Sequence, residues 1–445
     1  MARRLFSLIV YNLALPIALL CLLPNAIIKL RRRGGTPKDF LQKTGRYPTR
    51  ILRKLARLER PIWIHAVSVG ETNIAVKLIR QLRTERPEKA IVLSTTTTTA
   101  QAVAQQALPE ANDRDSDIAL IYNPVDFPPT VERALHLIRP SLIILVEAEV
   151  WPNLCALARR RHIPIALVNA RMSSRSEGRF RRAGALVRPI FSMLQKVCVQ
   201  EPEDAERFGS VGFRPEAIVS TGSIKFDPPP PPDPDSIAPL RDLVSPLFPN
   251  TAKSPVLLGA STFPGEEARI AESFKVLRHQ FPDLFLIVVP RHTERAHEAV
   301  ADLEKLGLKP GLRSELPPPH EFRPDCIVVD TTGELARWQA IATIVVIGKS
   351  FLAKGGQNPA EAAALGVPTV LGPRMDNFAA LVNHMKQADG TIQIVPPKNE
   401  LTATLARLLE SPERAAEIGA NAKAALEPHR GATAKTATEV LSLLP

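Results

Sequence analysis

The sequence predicts an α/β chain of two doubly wound, Rossmann-like halves, and three observations carry that expectation. Short runs that are apolar throughout alternate with amphipathic stretches, the pattern of a parallel sheet covered by helices on both faces. A proline run interrupts the alternation once, after which it restarts. A chain of 445 residues with a 45% apolar share also exceeds one ordinary core.

The first element is the run 5-LFSLIVYNLALPIALLCLLP-24, close to the ~20 residues that a bilayer crossing needs. Residues 1–60 hold 14 Lys and Arg against only Asp39 and Glu59, so this segment carries a surplus equal to the whole net charge of +12. A nucleic-acid enzyme spreads its basic residues over the folded body. Here the excess sits beside an apolar run, which points to an anionic membrane surface and away from nucleic acid. Residues 1–30 are therefore expected to form a membrane anchor, single-pass or interfacial. The heavier positive flank, Lys29 and Arg31–Arg33, follows the run and places the remainder on the cytoplasmic side. No A-x-A pattern for signal cleavage follows it.

The first half, 31–226, has expected strands at 61–67, 90–96, 118–122, 141–147, 164–170 and 196–200, with helical spacing over 72–83, 130–140 and 153–161. A linker is expected over 227–241, where five prolines from Pro228 to Pro232 favour polyproline II. The second half, 242–445, restarts with strands at 255–261, 284–290, 326–330, 342–348 and 368–372, and ends in an amphipathic tail over 401–426. Open α/β sheets bind ligands at the carboxyl ends of their strands, so a cleft between two such ends is the expected site.

Four scattered cysteines form no C-x-x-C pair and read as reduced thiols. The acidic runs 113-DRDSD-117 and 233-DPD-235 read as solvated turns, and no metal ligand set is expected.

The strongest chemical signal is 348-GKSFLAKGGQNPAEAAALGVPTVLGP-373. A strand ends at Gly348; Gly355 and Gly356 are expected to let a ligand approach the backbone, and Asn358-Pro359-Ala360-Glu361 reads as a capped helix start that suits phosphate. Gln357 lies in the same loop. Strand ends 258-LGASTFPGEE-267, with Ser261, and 289-VPRH-292, with Arg291 and His292, face the same way. In the first half, 65-HAVSVGE-71 carries Ser68, Gly70 and Glu71, 147-EAEVWPN-153 carries Glu147 and Glu149, and 169-NARMSSRS-176 carries Asn169 and Arg171. No G-x-x-x-x-G-K-[ST] and no strand-linked G-x-G-x-x-G supports ATP hydrolysis or nicotinamide chemistry. Glycines and a capped helix leave the nucleotide and the lipid acceptor open.

The ordered set SVGE, EAEVWPN, NARMSSRS, TGSIKFD, GASTFPGEE, PRH and GGQNPAEAAALGVPTVLGP closely resembles the 3-deoxy-D-manno-oct-2-ulosonic acid (Kdo) transferases, along nearly the whole chain. That resemblance implies a GT-B glycosyltransferase that moves Kdo from CMP-Kdo to the lipid A precursor at the inner membrane, without a cofactor. It implies Glu71 as general base, Glu147 or Glu149 as a second essential carboxylate, and Arg291, Gly355, Gly356, Asn358 and Glu361 on CMP. Ser261, His292, Gly348 and Gln357 join them as expected donor contacts, and Ser68, Gly70, Asn169 and Arg171 as acceptor contacts. A base without a covalent intermediate implies inversion. The chain departs from the family at Gln357, where His is usual, and at Lys349, where Gly is usual.

Overall fold

In the computed structural model the described residues are 2–32, 41–113, 115–250, 254–317, 322–394 and 400–444, with side chains described from 41 onward and over 2–17. The chain divides into two compact units, Met1–Lys225 with Gly431–Pro445, and Phe226–Arg430.

The first unit holds a seven-stranded parallel sheet of β1 (Ile62–Ala66), β2 (Ile91–Thr95), β3 (Ile118–Tyr122), β4 (Leu142–Val146), β5 (Ile165–Ala170), β6 (Lys196–Val199) and β7 (Ile218–Ser220), in the order β3-β2-β1-β4-β5-β6-β7. Strands β1 to β5 are buried at every position, as expected of a sheet sandwiched between helices.

The second unit repeats the plan with β8 (Val256–Thr262), β9 (Phe285–Pro290), β10 (Pro310–Leu312), β11 (Cys326–Val328), β12 (Ile344–Ile347), β13 (Thr369–Leu371) and β14 (Ile392–Gln393), in the order β10-β11-β9-β8-β12-β13-β14. All its pairings are parallel too. Three strands have no counterpart in the sequence reading: β7, β10 and β14. Each is an edge of its sheet, two or three residues long and only partly buried, so it carries no apolar run to read.

Two boundaries differ from expectation. The 227–241 segment is not spacer throughout, because helix Pro234–Val244 starts on an Asp233 cap and buries Leu240 and Val244 in the second unit's core. The tail also divides: helices Glu400–Glu410 and Pro412–Leu426 stay with the second unit, while Ala432–Leu441 packs Ala437 and Val440 into the first. A Thr436–Thr221 hydroxyl bond of 3.0 Å and a Lys196–Glu439 ion pair of 2.6 Å fix it there.

The N-terminal run lies in helix Ala2–Arg32. No helix is long and apolar enough to cross a membrane among the described residues. The polar residues that interrupt the run bond inward: Asn12 and Asn153 exchange side-chain hydrogen bonds of 2.9 Å each. Three cysteines, Cys155, Cys198 and Cys326, are free and buried, and Cys21 lies outside the described side chains. Among the described residues no cluster of His, Cys, Asp and Glu is placed to hold a metal ion.

Candidate active site

In each sheet the strand order turns back between two neighbours, β1 and β4 in the first and β8 and β12 in the second. Loops leaving such neighbours diverge, and ligands of open α/β sheets bind in the crevice so formed. Four of the sequence motifs lie in those loops, whereas NARMSSRS follows β5, TGSIKFD follows β7 and PRH follows β9.

In the first unit β1 runs into helix Val69–Glu85 and β4 into helix Pro152–Arg160, which brings together Glu71, Glu147 and Glu149. Glu71 is buried, only 7% accessible. Its Oε2 accepts from the Val67 N–H at 2.7 Å and its Oε1 from the Ser68 hydroxyl at 2.9 Å, while Ser68 Oγ accepts from the Glu71 N–H at 3.3 Å. This is a reciprocal helix cap, so the Ser68 hydroxyl is already engaged inside the loop. Gly70 has room: a Cβ there would meet Ser68 Oγ at 3.8 Å and Lys225 Nζ at 4.0 Å.

The cap does not neutralise the carboxyl. Burial raises the Glu71 pKa, the bonds from Val67 and Ser68 oppose it, and the charge of Glu147 raises it further. Glu149 is pushed to about 7 by burial and then by the charges of Glu71 and Glu147. Near neutral pH the group thus holds a proton that no isolated glutamate would keep. Glu147 has a left-handed backbone, φ +62°, which re-aims the loop straight after β4. Next to it, the buried His65 ring is pushed down to about 4 by burial, stays neutral, and lies edge-on to Trp151 at 6.0 Å.

Asn169 is engaged within its own unit through its Oδ1. It is fully buried at a register shift in β5, φ +52°, and its Oδ1 accepts from the Ile224 N–H at 2.9 Å and the Ser223 hydroxyl at 3.4 Å. It thereby holds the TGSIKFD segment. Arg171, two residues on, is exposed.

The second unit places Ser261 at the corresponding irregularity of β8, φ +54°, where its carbonyl lies against Gly348. A Cβ on Gly348 would sit 2.2 Å from that oxygen, so only glycine fits there. Gly355 (φ +111°) and Gly356 (φ +73°) are also obligatory, for a reason the sequence did not show. The space their side chains would need is filled by Asn377 and by Met375. Asn358 Oδ1 accepts from the Ala360 N–H at 3.1 Å, as its capping role requires, and the helix it opens, Ala360–Leu365, has only six residues. Glu361 lies in its first turn, half-buried, and the Gln357 N–H donates to the Gly348 carbonyl at 3.2 Å. Arg291 and His292 are exposed just after β9; the His292 ring sits 5.9 Å from Phe263.

Two structural carboxylates escaped the sequence reading. Asp126 accepts from the Asn153 and Leu154 N–H groups at 3.0 and 2.9 Å and so caps the helix that follows Glu149. The signal was indirect: Pro152 opens that helix behind Trp151, which offers no side-chain cap. Glu266, fully buried, accepts four N–H groups, from Phe263 (3.0 Å), Lys349 (2.6 Å), Ser350 (3.0 Å) and Phe351 (3.0 Å). It shapes the loop after β12.

Residues 38–228 match the family model described as 3-deoxy-D-manno-octulosonic-acid transferase (kdotransferase). The chain is 34% identical over 414 residues to the 3-deoxy-D-manno-octulosonic acid transferase of Bordetella pertussis, covering 92% of each. It is 30% identical over 374 residues to that of Haemophilus influenzae, covering 83% of this chain and 84% of that one. Among solved structures it is similar to the C-terminal CMP-Kdo binding domain of WaaA from Acinetobacter baumannii, 27% identical with a TM-score of 0.38, over 43% of this chain and 97% of that one. Identity at this level along nine-tenths of its length means that the chain belongs to the 3-deoxy-D-manno-octulosonic-acid (Kdo) transferase family.

Proposed function

We propose that this protein is an inverting, metal-independent glycosyltransferase of the GT-B class that moves Kdo from CMP-Kdo to the lipid A precursor. The observation that carries the mechanism is the Glu71, Glu147 and Glu149 cluster at the turn-back point of the first sheet. An acceptor hydroxyl attacking the anomeric carbon must lose its proton as the bond forms, which a positioned base accelerates by typically ~10²–10⁴. Glu71 is that base: its cap bonds orient both oxygens. Glu149 carries the cluster's proton near neutrality, which limits the negative charge that meets an anionic donor. On the donor side, Arg291 has no side-chain partner among the described residues and would meet the departing CMP phosphate, with the Gly348–Glu361 loop as its bed. Among the proposed acceptor contacts, Arg171 and Ser68 are exposed, whereas Asn169 is buried and holds a loop in place.

Membrane association in this reading is interfacial. Leu5, Ile9, Leu13 and Ile17 recur every four residues along helix Ala2–Arg32 and are 48–69% exposed, so they form one apolar stripe. Arg3, Arg181, Arg182 and Arg188 gather around Phe6 at the start of the same helix, an arrangement suited to an anionic lipid surface.

The test is transfer of labelled Kdo, from CMP-Kdo generated in situ, to purified lipid A precursor by the detergent-extracted protein with EDTA present. Lipid-linked label is expected, and its mass counts the sugars. A folded protein that transfers nothing overturns the donor and acceptor assignment; activity restored only by a divalent cation overturns metal independence.

A further inference from the structure

An open cavity of about 650 Å³ lies beside the carboxylate cluster, entirely within the first unit. It has the size of a small-molecule site. Its walls are mainly apolar. One is formed by Ser7, Val10, Tyr11 and Ala14, spaced i, i+3, i+4 and i+7 on helix Ala2–Arg32. That face is opposite the exposed Leu5-Ile9-Leu13 stripe, so the helix is apolar on both sides, one outward and one over the cavity.

The far wall is aromatic. Phe191 stacks on Phe213 at 4.4 Å, and Phe180 and Phe208 meet this pair at 5.3 and 5.0 Å. The charged groups of the lining are few, Glu149 at one point and the exposed guanidinium groups of Arg171 and Arg179 at another. An apolar interior, a cationic rim and a wall whose back is an exposed apolar stripe together describe a site for an amphiphile with an anionic head.

We propose that this cavity receives a fatty acyl chain of the acceptor lipid, with Arg171 and Arg179 on its anionic headgroup and the sugar hydroxyl presented to the carboxylate cluster. The proposal rests on the transferase reading above and adds to it how the lipid is recognised. The wall residues Ala14 and Val187 belong to two different helices, so each offers an independent way to fill the cavity.

Trp151 lines the cavity, whereas Trp63 and Trp338 are fully buried elsewhere, so it provides a local reporter. The full-length protein is titrated with stearate dibrominated at mid-chain, a collisional quencher of indole fluorescence. Saturable quenching is expected, absent in Trp151→Phe and weakened at least about tenfold in both Ala14→Phe and Val187→Phe. Quenching that never saturates, or that persists unchanged in both filled variants, would mean surface partitioning and overturn the proposal. Kinetics then place the chain on the substrate. The KM for the acylated acceptor should rise about tenfold or more in the filled variants, while transfer to the same disaccharide phosphate stripped of acyl chains stays as in the parent. A parent protein that transfers Kdo to neither acceptor refutes the transferase reading alone, because the quenching result still decides whether the cavity holds a chain.

Discussion

Glu71 and Glu266 occupy the same place in the two units. Each follows the first strand of its sheet, opens the next helix and is buried at the point where the strand order turns. Their partners differ. Glu266 accepts four backbone N–H groups and binds the loop after β12 to the start of its helix. Glu71 has one backbone donor and one hydroxyl, and across the turn it meets two further carboxylates. The same residue type in the same topological position is thus a structural fastener in one unit and a strained charge in the other. What decides is the loop opposite: 349–351 presents amides, 147–149 presents acids.

The largest effect that would sharpen this contrast is expected from Glu266→Ala. It leaves two buried and two partly buried amides without acceptors, each buried one costing ~1–3 kcal/mol, so the second unit should lose several kcal/mol and unfold first in a urea titration. An unchanged midpoint would break the comparison. Glu71→Ala comes next, with activity falling about 10²–10⁴-fold while stability drops only ~0.5–2 kcal/mol, the cost of a lost cap. If activity survives, Glu71 is a cap and nothing more.

Glu149→Gln should have a moderate, pH-dependent effect. Because the folded state holds the Glu149 proton more tightly than the unfolded chain does, the native carboxyl loses stability as pH rises from the ordinary carboxylate range to about 7. The variant should therefore show a higher Tm than the parent at pH 8 and an equal one at pH 4. It should also lose the parent's decline in activity above about pH 7, where a third charge would repel the anionic donor. Equal Tm differences at both pH values would show that the cluster is not coupled. The smallest change is expected for Lys349→Gly. Relief of φ +55° is offset by loss of the Lys349 ammonium's contact with the Phe263 ring at 4.9 Å, and the urea midpoint should move by no more than ~1 kcal/mol.

Much of this architecture was legible from the hydrophobic pattern alone. The buried strands of both sheets announce themselves as mainly apolar runs, because a strand covered on both faces carries a polar side chain only where that group finds a partner. The edge strands β7, β10 and β14 do not, since solvent on one side removes the requirement. The motif residues likewise fell at strand ends, where the sequence put them, but their tasks were divided by contacts that no spacing reveals. Asn169 reads as a ligand contact, and its Oδ1 accepts from the Ile224 backbone; Gly355 and Gly356 read as an open approach, and Asn377 and Met375 occupy the space a Cβ would need there.

The N-terminal helix shows the same division. Its length and hydrophobicity suggested an anchor, but which face it turns outward depends on Asn12 meeting Asn153 and on Tyr11 bonding to Asp126, partners more than a hundred residues away. The sequence by itself determined two parallel α/β sheets, a charge excess confined to the first 60 residues, and a set of strand-end motifs that named the family, since periodicity and local residue chemistry are readable along one dimension. Only the tertiary structure decided which acids share a proton and which is saturated by amides. A carboxylate's burial and charged neighbours are set by segments that meet in space after long separations in sequence, and those two terms control its chemistry.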